Sequence, residues 1–187
     1  KKITAGRGAL FAGDFLQSFR PQATPRSIQA TRDSLFFGEA ESVLKQCQYS
    51  VIITGRSDDL LNYYLRFPKN SISGWILKKA DRVIGFGLLA LIQKPGLRQG
   101  RIVDCFLNTN DCGDWKDSIA ALSAELRRMK PDLISCYAST PWLREGLVQN
   151  GYFRRGKIAF LLRDSKKLIP RSHPFHLTHL EADLSYL

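Results

Sequence analysis

The stretch from Arg101 to Phe153 constrains this chain most. It opens with an apolar run, Arg101-Ile102-Val103-Asp104-Cys105-Phe106-Leu107, and a polar break follows from Asn108 to Asp114. Trp115, Ile119, Leu122, Leu126 and Met129 then recur at helical spacing on one face, up to a stop at Lys130-Pro131. A second apolar run, Leu133-Ile134-Ser135-Cys136-Tyr137-Ala138, leads through Thr140-Pro141 into another helical pattern that ends at Asn150-Gly151. Strand, helix, strand, helix, each bounded by turn residues, is the sequence form of a parallel β-α-β crossover. It predicts adjacent parallel strands over 101–107 and 133–138, joined by a helix from Asp114 to Met129. Asp114 is the expected N-cap and Asp117 falls in the first turn, where a carboxylate opposes the helix dipole. Ile119, Leu122 and Leu126 should face the sheet, and Arg127 and Lys130 should face water.

The flanks extend this unit. Asp33 to Gln48 reads as a helix capped by Asp33, and Ser50 to Thr54 as a short strand. Ser57 is an N-cap candidate, with Asp58 and Asp59 in the first turn of a helix that Pro68 ends. Ser73 to Lys78 and Arg82 to Ile92 form a hairpin about Lys79-Ala80-Asp81, and Gly85 and Gly87 mark a bulge or close backbone approach. Lys157 to Arg163 and Phe175 to Leu180 read as two last strands. Residues 1–32, with Gly6, Gly8, Gly13, Pro21 and Pro25, read as irregular, and 1–36 as an N-terminal extension or interdomain linker before a domain at 37–187. The order implies an α/β fold, a central mixed sheet with helices on both faces.

Composition narrows the function classes. The run freest of polar residues, Val83 to Ile92, falls short of the roughly 20 residues that a membrane-spanning helix needs. Nothing after Lys1-Lys2 reads as a secretory signal. Cys47, Cys105, Cys112 and Cys136 form no CxxC pair and read as free thiols, which points to a reducing compartment, the cytoplasm. The formal charge of +11 favours anionic partners, yet no basic run exceeds two residues. Basic and aromatic residues do not interleave on one element, so nucleic acid is not the expected partner. His173, His176 and His179 lack metal-ligand spacing and read as loop or strand-surface residues, with no metal expected.

Three pieces carry a resemblance. They are the hairpin from Trp75 to Gly87, the strand Arg101 to Leu107 before its helix, and the helix from Trp142 to Asn150-Gly151-Tyr152-Phe153. In their order they resemble the GNAT N-acetyltransferase superfamily. Asp59 to Pro68 and His176 to Asp183 are similar to a divergent bacterial subgroup whose members often carry two such domains. The resemblance covers Val51 to Asp183. It implies a GNAT-like acyl-CoA N-acyltransferase fold at 37–187, acetyl-CoA or another acyl-CoA as cofactor, and a small-molecule amine or amino-sugar acceptor. A second GNAT-like domain or a homodimer would be the partner.

In that family the cofactor lies where the fourth and fifth strands splay, with its pyrophosphate on the next helix N-terminus, where unpaired N–H groups favour anions. By position, Cys105, Phe106 and Leu107 would edge the pantetheine, and Cys112, Gly113 and Asp114 would form the phosphate loop. Asp104 is the candidate catalytic base, since a buried carboxylate with a raised pKa can take a proton from an amine; a salt bridge or the strand's solvent side is its other reading. The family's phosphate loop, Gln/Arg-x-x-Gly-x-Gly/Ala, stands here as Asn110-Asp111-Cys112-Gly113-Asp114-Trp115, and Leu147 stands at the family's tyrosine acid. Cys112, at a helix start where a thiolate would be stabilised, is a candidate nucleophile. Two readings follow: direct acetyl transfer to an amine, or a non-catalytic GNAT-fold binding or scaffolding module.

Overall fold

The computed structural model describes residues 7–17, 27–66, 72–163, 169 and 172–181. Among them, seven strands form one mixed sheet: β1 (Arg7–Gln17), β2 (Ile28–Asp33), β3 (Ile72–Lys79), β4 (Arg82–Lys94), β5 (Leu97–Leu107), β6 (Leu133–Ala138) and β7 (Phe153–Arg163). Their order across the sheet is β2-β3-β4-β5-β6-β1-β7. Helices α3 (Cys112–Arg128) and α4 (Pro141–Gln149) share one apolar core, built on Trp115, Ile119, Leu122, Leu126, Leu143 and Leu147. Helices α1 (Glu39–Lys45) and α2 (Asp58–Arg66) share a second core with Phe86, Val103 and Phe106. The chain therefore has the mixed α/β class expected of it.

The crossover is as its sequence implies. β5 and β6 are parallel neighbours, from Gln99 opposite Leu133 to Ile102 opposite Cys136, and α3 joins them. Ile119, Leu122 and Leu126 are fully buried. Lys130 is exposed, but Arg127 is half-buried and donates to Gln17 Oε1 at 3.0 Å. The β3–β4 hairpin turns on Ala80 and Asp81, both with positive φ (46° and 64°), the backbone of a two-residue turn whose twist matches its strands. Ser57 accepts from the Leu60 amide at the start of α2.

Four local expectations need correction. The N-cap of α3 is Asp111, not Asp114: its side chain accepts from the Asp114 amide at 2.9 Å. Asp33 ends strand β2 opposite Gly74, and α1 begins only after Gly38, whose φ of 105° interrupts the helical backbone. Residues 50–54 form no strand; they make one parallel bridge, Ile52 to Phe175. Phe175 to Leu180 is likewise not a strand, and it ends in a 3₁₀ turn over His179–Glu181.

The largest departure lies at the N-terminus. Residues 7–17, read as irregular, form β1, which pairs antiparallel with β6 on one side and β7 on the other. β2 adds a further strand at the far edge, antiparallel to β3. Strand propensity is weak where glycines recur, but pairing with β7 along Arg7–Leu16 and with β6 over Gly13–Gln17 gives the backbone its partners. Pro68, expected to end α2, and Asp183 lie outside the described residues.

Candidate functional site

The parallel β5–β6 ladder stops at Ile102 and Cys136, although β5 runs on to Leu107 and β6 to Ala138. The cause lies in the neighbouring register. Leu88 of β4 faces Asp104, and Leu89 faces Ile102, so Val103 is an extra residue in β5. A bulge of this kind bends its strand and sharpens its twist, which carries β5 away from β6. The strands thus part at the place where the resemblance puts an acyl-CoA.

The chain's own residues 174–181 bridge this gap. The Ile52 amide donates to the Pro174 carbonyl at 2.9 Å, and the His176 amide donates to the Ile52 carbonyl at 2.8 Å. Ser139, just past β6, donates to the Phe175 carbonyl and accepts from the Leu177 amide at 2.7 Å. Thr178 donates to Asp104 of β5 at 2.9 Å. The His179 ring stacks on Tyr137 of β6, centroids 3.5 Å apart, and the His176 ring stands edge-on to Phe106 of β5 at 5.4 Å. Residues 176–180 are all buried. Tyr49 closes the far end: its hydroxyl donates to the Leu107 carbonyl at 3.0 Å, and its ring meets Phe106 and Trp142.

An ion network fixes the segment in place. Arg56 and Asp104 have fully buried side chains, and Arg56 Nε donates to Asp104 Oδ2 at 2.7 Å. The same guanidinium pairs with Glu181 and with Thr54. Glu181 also accepts from Thr54 Oγ1 at 2.7 Å and from the Thr178 amide at 2.7 Å. Burial alone would raise the Asp104 carboxyl, but the Arg56 guanidinium beside it overrides that and holds it well below the usual carboxylate range. A carboxylate held this way is a poor proton acceptor. The salt-bridge reading of Asp104 is the one this geometry supports. His176 Nε2 lies 3.7 Å from Asp104 Oδ1, beyond hydrogen-bonding distance, and neither ring nitrogen has a hydrogen-bond partner among the described residues.

The N-terminus of α3 is occupied by its own acids. Asp111 takes the Asp114 amide, and Lys79 pairs with Asp114 at 2.6 Å. A side chain at Gly113 would meet Asp111 Oδ1 at 3.1 Å. Cys112 donates to Glu145 Oε2 at 3.3 Å; that bond, then burial, raises its thiol pKa. A raised pKa lowers the thiolate fraction, so Cys112 is a weak nucleophile here. Glu145→Gln is expected to speed its alkylation by iodoacetamide at pH 8 several-fold; an unchanged rate would show that Glu145 does not govern the thiol.

The structure brings Asp104, Cys105, Phe106 and Leu107 together on β5, all at most 1% exposed. Cys112, Gly113 and Asp114 form the first turn of α3. Leu147 is core, and Tyr152 is buried with its hydroxyl 2.7 Å from Ser123 Oγ. His176 and His179, expected on a surface, are 0% and 3% exposed. Cys105 and Cys136 are buried free thiols. Arg56, Thr178, Glu181 and Tyr49 were not anticipated. One signal pointed to such a group: a lone aspartate in an apolar strand demands a cation, though the sequence does not say which.

No family model matches the sequence, and comparison with curated proteins finds no match. The fold does have solved counterparts. A GCN5-related N-acetyltransferase from Anabaena variabilis superposes with a TM-score of 0.57 at 13% identity, over 84% of this chain and 41% of that one. A functionally unknown conserved protein from Staphylococcus epidermidis superposes with a TM-score of 0.50 at 10% identity, over 84% of this chain and 63% of that one. The chain thus spans less than two thirds of the length of either. Among the described residues, no helix is long and apolar enough to cross a membrane.

Proposed function

We propose that this chain is a non-catalytic GNAT-fold module, a binding or scaffolding unit whose acyl-CoA cleft is filled by its own residues 174–181. The observation that carries the reading is the bridging of the parted strands β5 and β6 by that segment, through Thr178–Asp104 on one side and His179–Tyr137 on the other. Three further features support it. The Leu107 carbonyl, which a pantetheine would need, is taken by Tyr49. The α3 N-terminus presents Asp111, Asp114 and the nearby Glu145 to any pyrophosphate. The candidate base Asp104 is locked to Arg56. We read the module as one half of a longer two-domain protein or of a homodimer, and, from its free thiols, as cytoplasmic.

The parting of the strands itself favours a second reading. If 174–181 withdrew, acetyl-CoA would lie along Cys105, Phe106 and Leu107, with its pyrophosphate over Cys112, Gly113 and Asp114, and an acceptor amine would attack the thioester directly. Asp104 would serve as base only after losing Arg56.

Titration calorimetry with acetyl-CoA separates the two. The expected result is no binding heat up to millimolar cofactor in a folded sample. Saturable binding would sink the non-catalytic reading. Asp111→Asn should then tighten it and added salt weaken it, because each alters the field at the phosphates.

A further inference from the structure

A cavity of about 210 Å³ opens on the sheet beside β1, β5 and β6. Strand alternation builds it. Gln99 and Arg101 on β5, Ser135 and Tyr137 on β6, and Asp14 and Leu16 on β1 stand two apart along their strands and so share a face. The register sets Arg101 opposite Ser135, and Asp14 opposite Tyr137. Lys94, Leu97, Leu133, Arg155 and His179 complete the wall.

The polar groups of this cavity are incompletely matched. Gln99 and Ser135 satisfy one another at 2.9 Å. Asp14 Oδ2 is held by Arg155, whose Nε donates to it at 2.8 Å. Among the described residues, however, Asp14 Oδ1 is buried without a hydrogen-bond partner, and so is Arg101 Nε. His179, only 3% exposed, leaves its Nε2 unpartnered as well. Its pKa is pushed down to about 3 by burial and then by Arg101, so the ring is neutral and adds no charge. Among the described residues that line the cavity, Lys94, Arg101 and Arg155 therefore face one carboxylate, Asp14, with Tyr137 and His179 as the other titratable groups.

An occupant that completes these groups needs an anionic end for Arg101 and Lys94 and a hydrogen-bond donor for the free oxygen of Asp14. At about 210 Å³ the cavity has room for a small organic acid. We propose that this cavity binds a small hydroxy- or amino-carboxylate, its carboxylate on Arg101 and Lys94 and its hydroxyl or ammonium on Asp14 Oδ1. Because His179 belongs to the 174–181 segment, the site rests on the reading in which that segment fills the cleft.

L-lactate and propionate differ by one hydroxyl and make the test. Each is titrated into the isotope-labelled chain and followed by amide NMR. Lactate should shift the signals of Arg101, Ser135, Tyr137 and His179 saturably, with propionate needing a several-fold higher concentration. Arg101→Gln should raise the half-saturating lactate concentration about tenfold, the usual scale for one charge-assisted hydrogen bond. Lys94→Gln alters an exposed residue, and it should weaken lactate several-fold even if the Arg101 variant unfolds. Asp14→Asn should bring lactate and propionate together. No saturable shift up to on the order of 50 mM in the folded chain would overturn the proposal. So would equal affinity for the two acids in the unmodified chain, or inorganic phosphate binding there as tightly as lactate and indifferent to Asp14→Asn.

Discussion

Arg56→Met is expected to destabilise the chain by about 3–5 kcal/mol in equilibrium urea unfolding, the range for removing one partner of a buried ion pair. The guanidinium serves both Asp104 and Glu181, whose side chains are 0% and 7% exposed. Without it, two carboxylates would share a dry site. Pairing Arg56→Met with Asp104→Leu should recover a large part of the loss, because the second change removes one uncompensated charge. A loss below about 1 kcal/mol in the single variant would mean that water reaches the network. The pH dependence follows from the depressed carboxyl of Asp104. Its contribution is fully present above the unfolded aspartate pKa of about 3.9 and is lost as pH falls below that towards the folded value. The unmodified chain should therefore lose stability steeply under about pH 4, and Asp104→Leu should flatten that slope.

Leu122→Ala should cost about 2–5 kcal/mol, since the side chain is fully buried between α3 and the sheet. Its contact with the sheet is unusually close. A Cβ at Gly87 would lie 2.8 Å and 2.9 Å from the two Leu122 methyls. Gly87→Ala should thus cost about 1–3 kcal/mol by overpacking when Leu122 is present. The double variant should cost clearly less than the sum, because the space that Leu122 vacates accepts the new methyl. Strict additivity would show that α3 does not press on β4 there. Gly85→Ala offers the contrast. Its Cβ would lie 2.5 Å from the Phe106 carbonyl oxygen, a backbone atom, so shortening a neighbouring side chain should not rescue it.

Both effects concern positions that the sequence marked only in part. Gly85 and Gly87 inside an apolar strand announced a close approach, but not that Phe106 and Leu122 were what approached. Asp104 in an apolar strand announced an unusual carboxylate; its partners lie 48 residues upstream at Arg56 and 74 residues downstream at Thr178. Spacing that long leaves no local periodicity to read. The α3 cap shows a finer limit. Asp111 and Asp114 are both good N-cap residues; Asp111 takes the cap, and Asp114 pairs with Lys79 of β3.

The sequence by itself determined the crossover, the hairpin and the inward face of α3, because each follows from hydrophobic periodicity and turn chemistry within a few residues. That information is local, and local physics suffices to express it. Only the tertiary structure decided the rest. Residues 7–17 are a strand because β6 and β7 each offer them an edge, not because their glycine-bearing sequence prefers it. Residues 175–180 show an alternation that suggests a strand, yet they lie between two strands that have parted, where one bridge to Ile52 and a buried guanidinium outweigh any ladder. Whether that cleft is open or filled is a matter of which distant side chains meet, and contacts between distant residues are set by the packed whole.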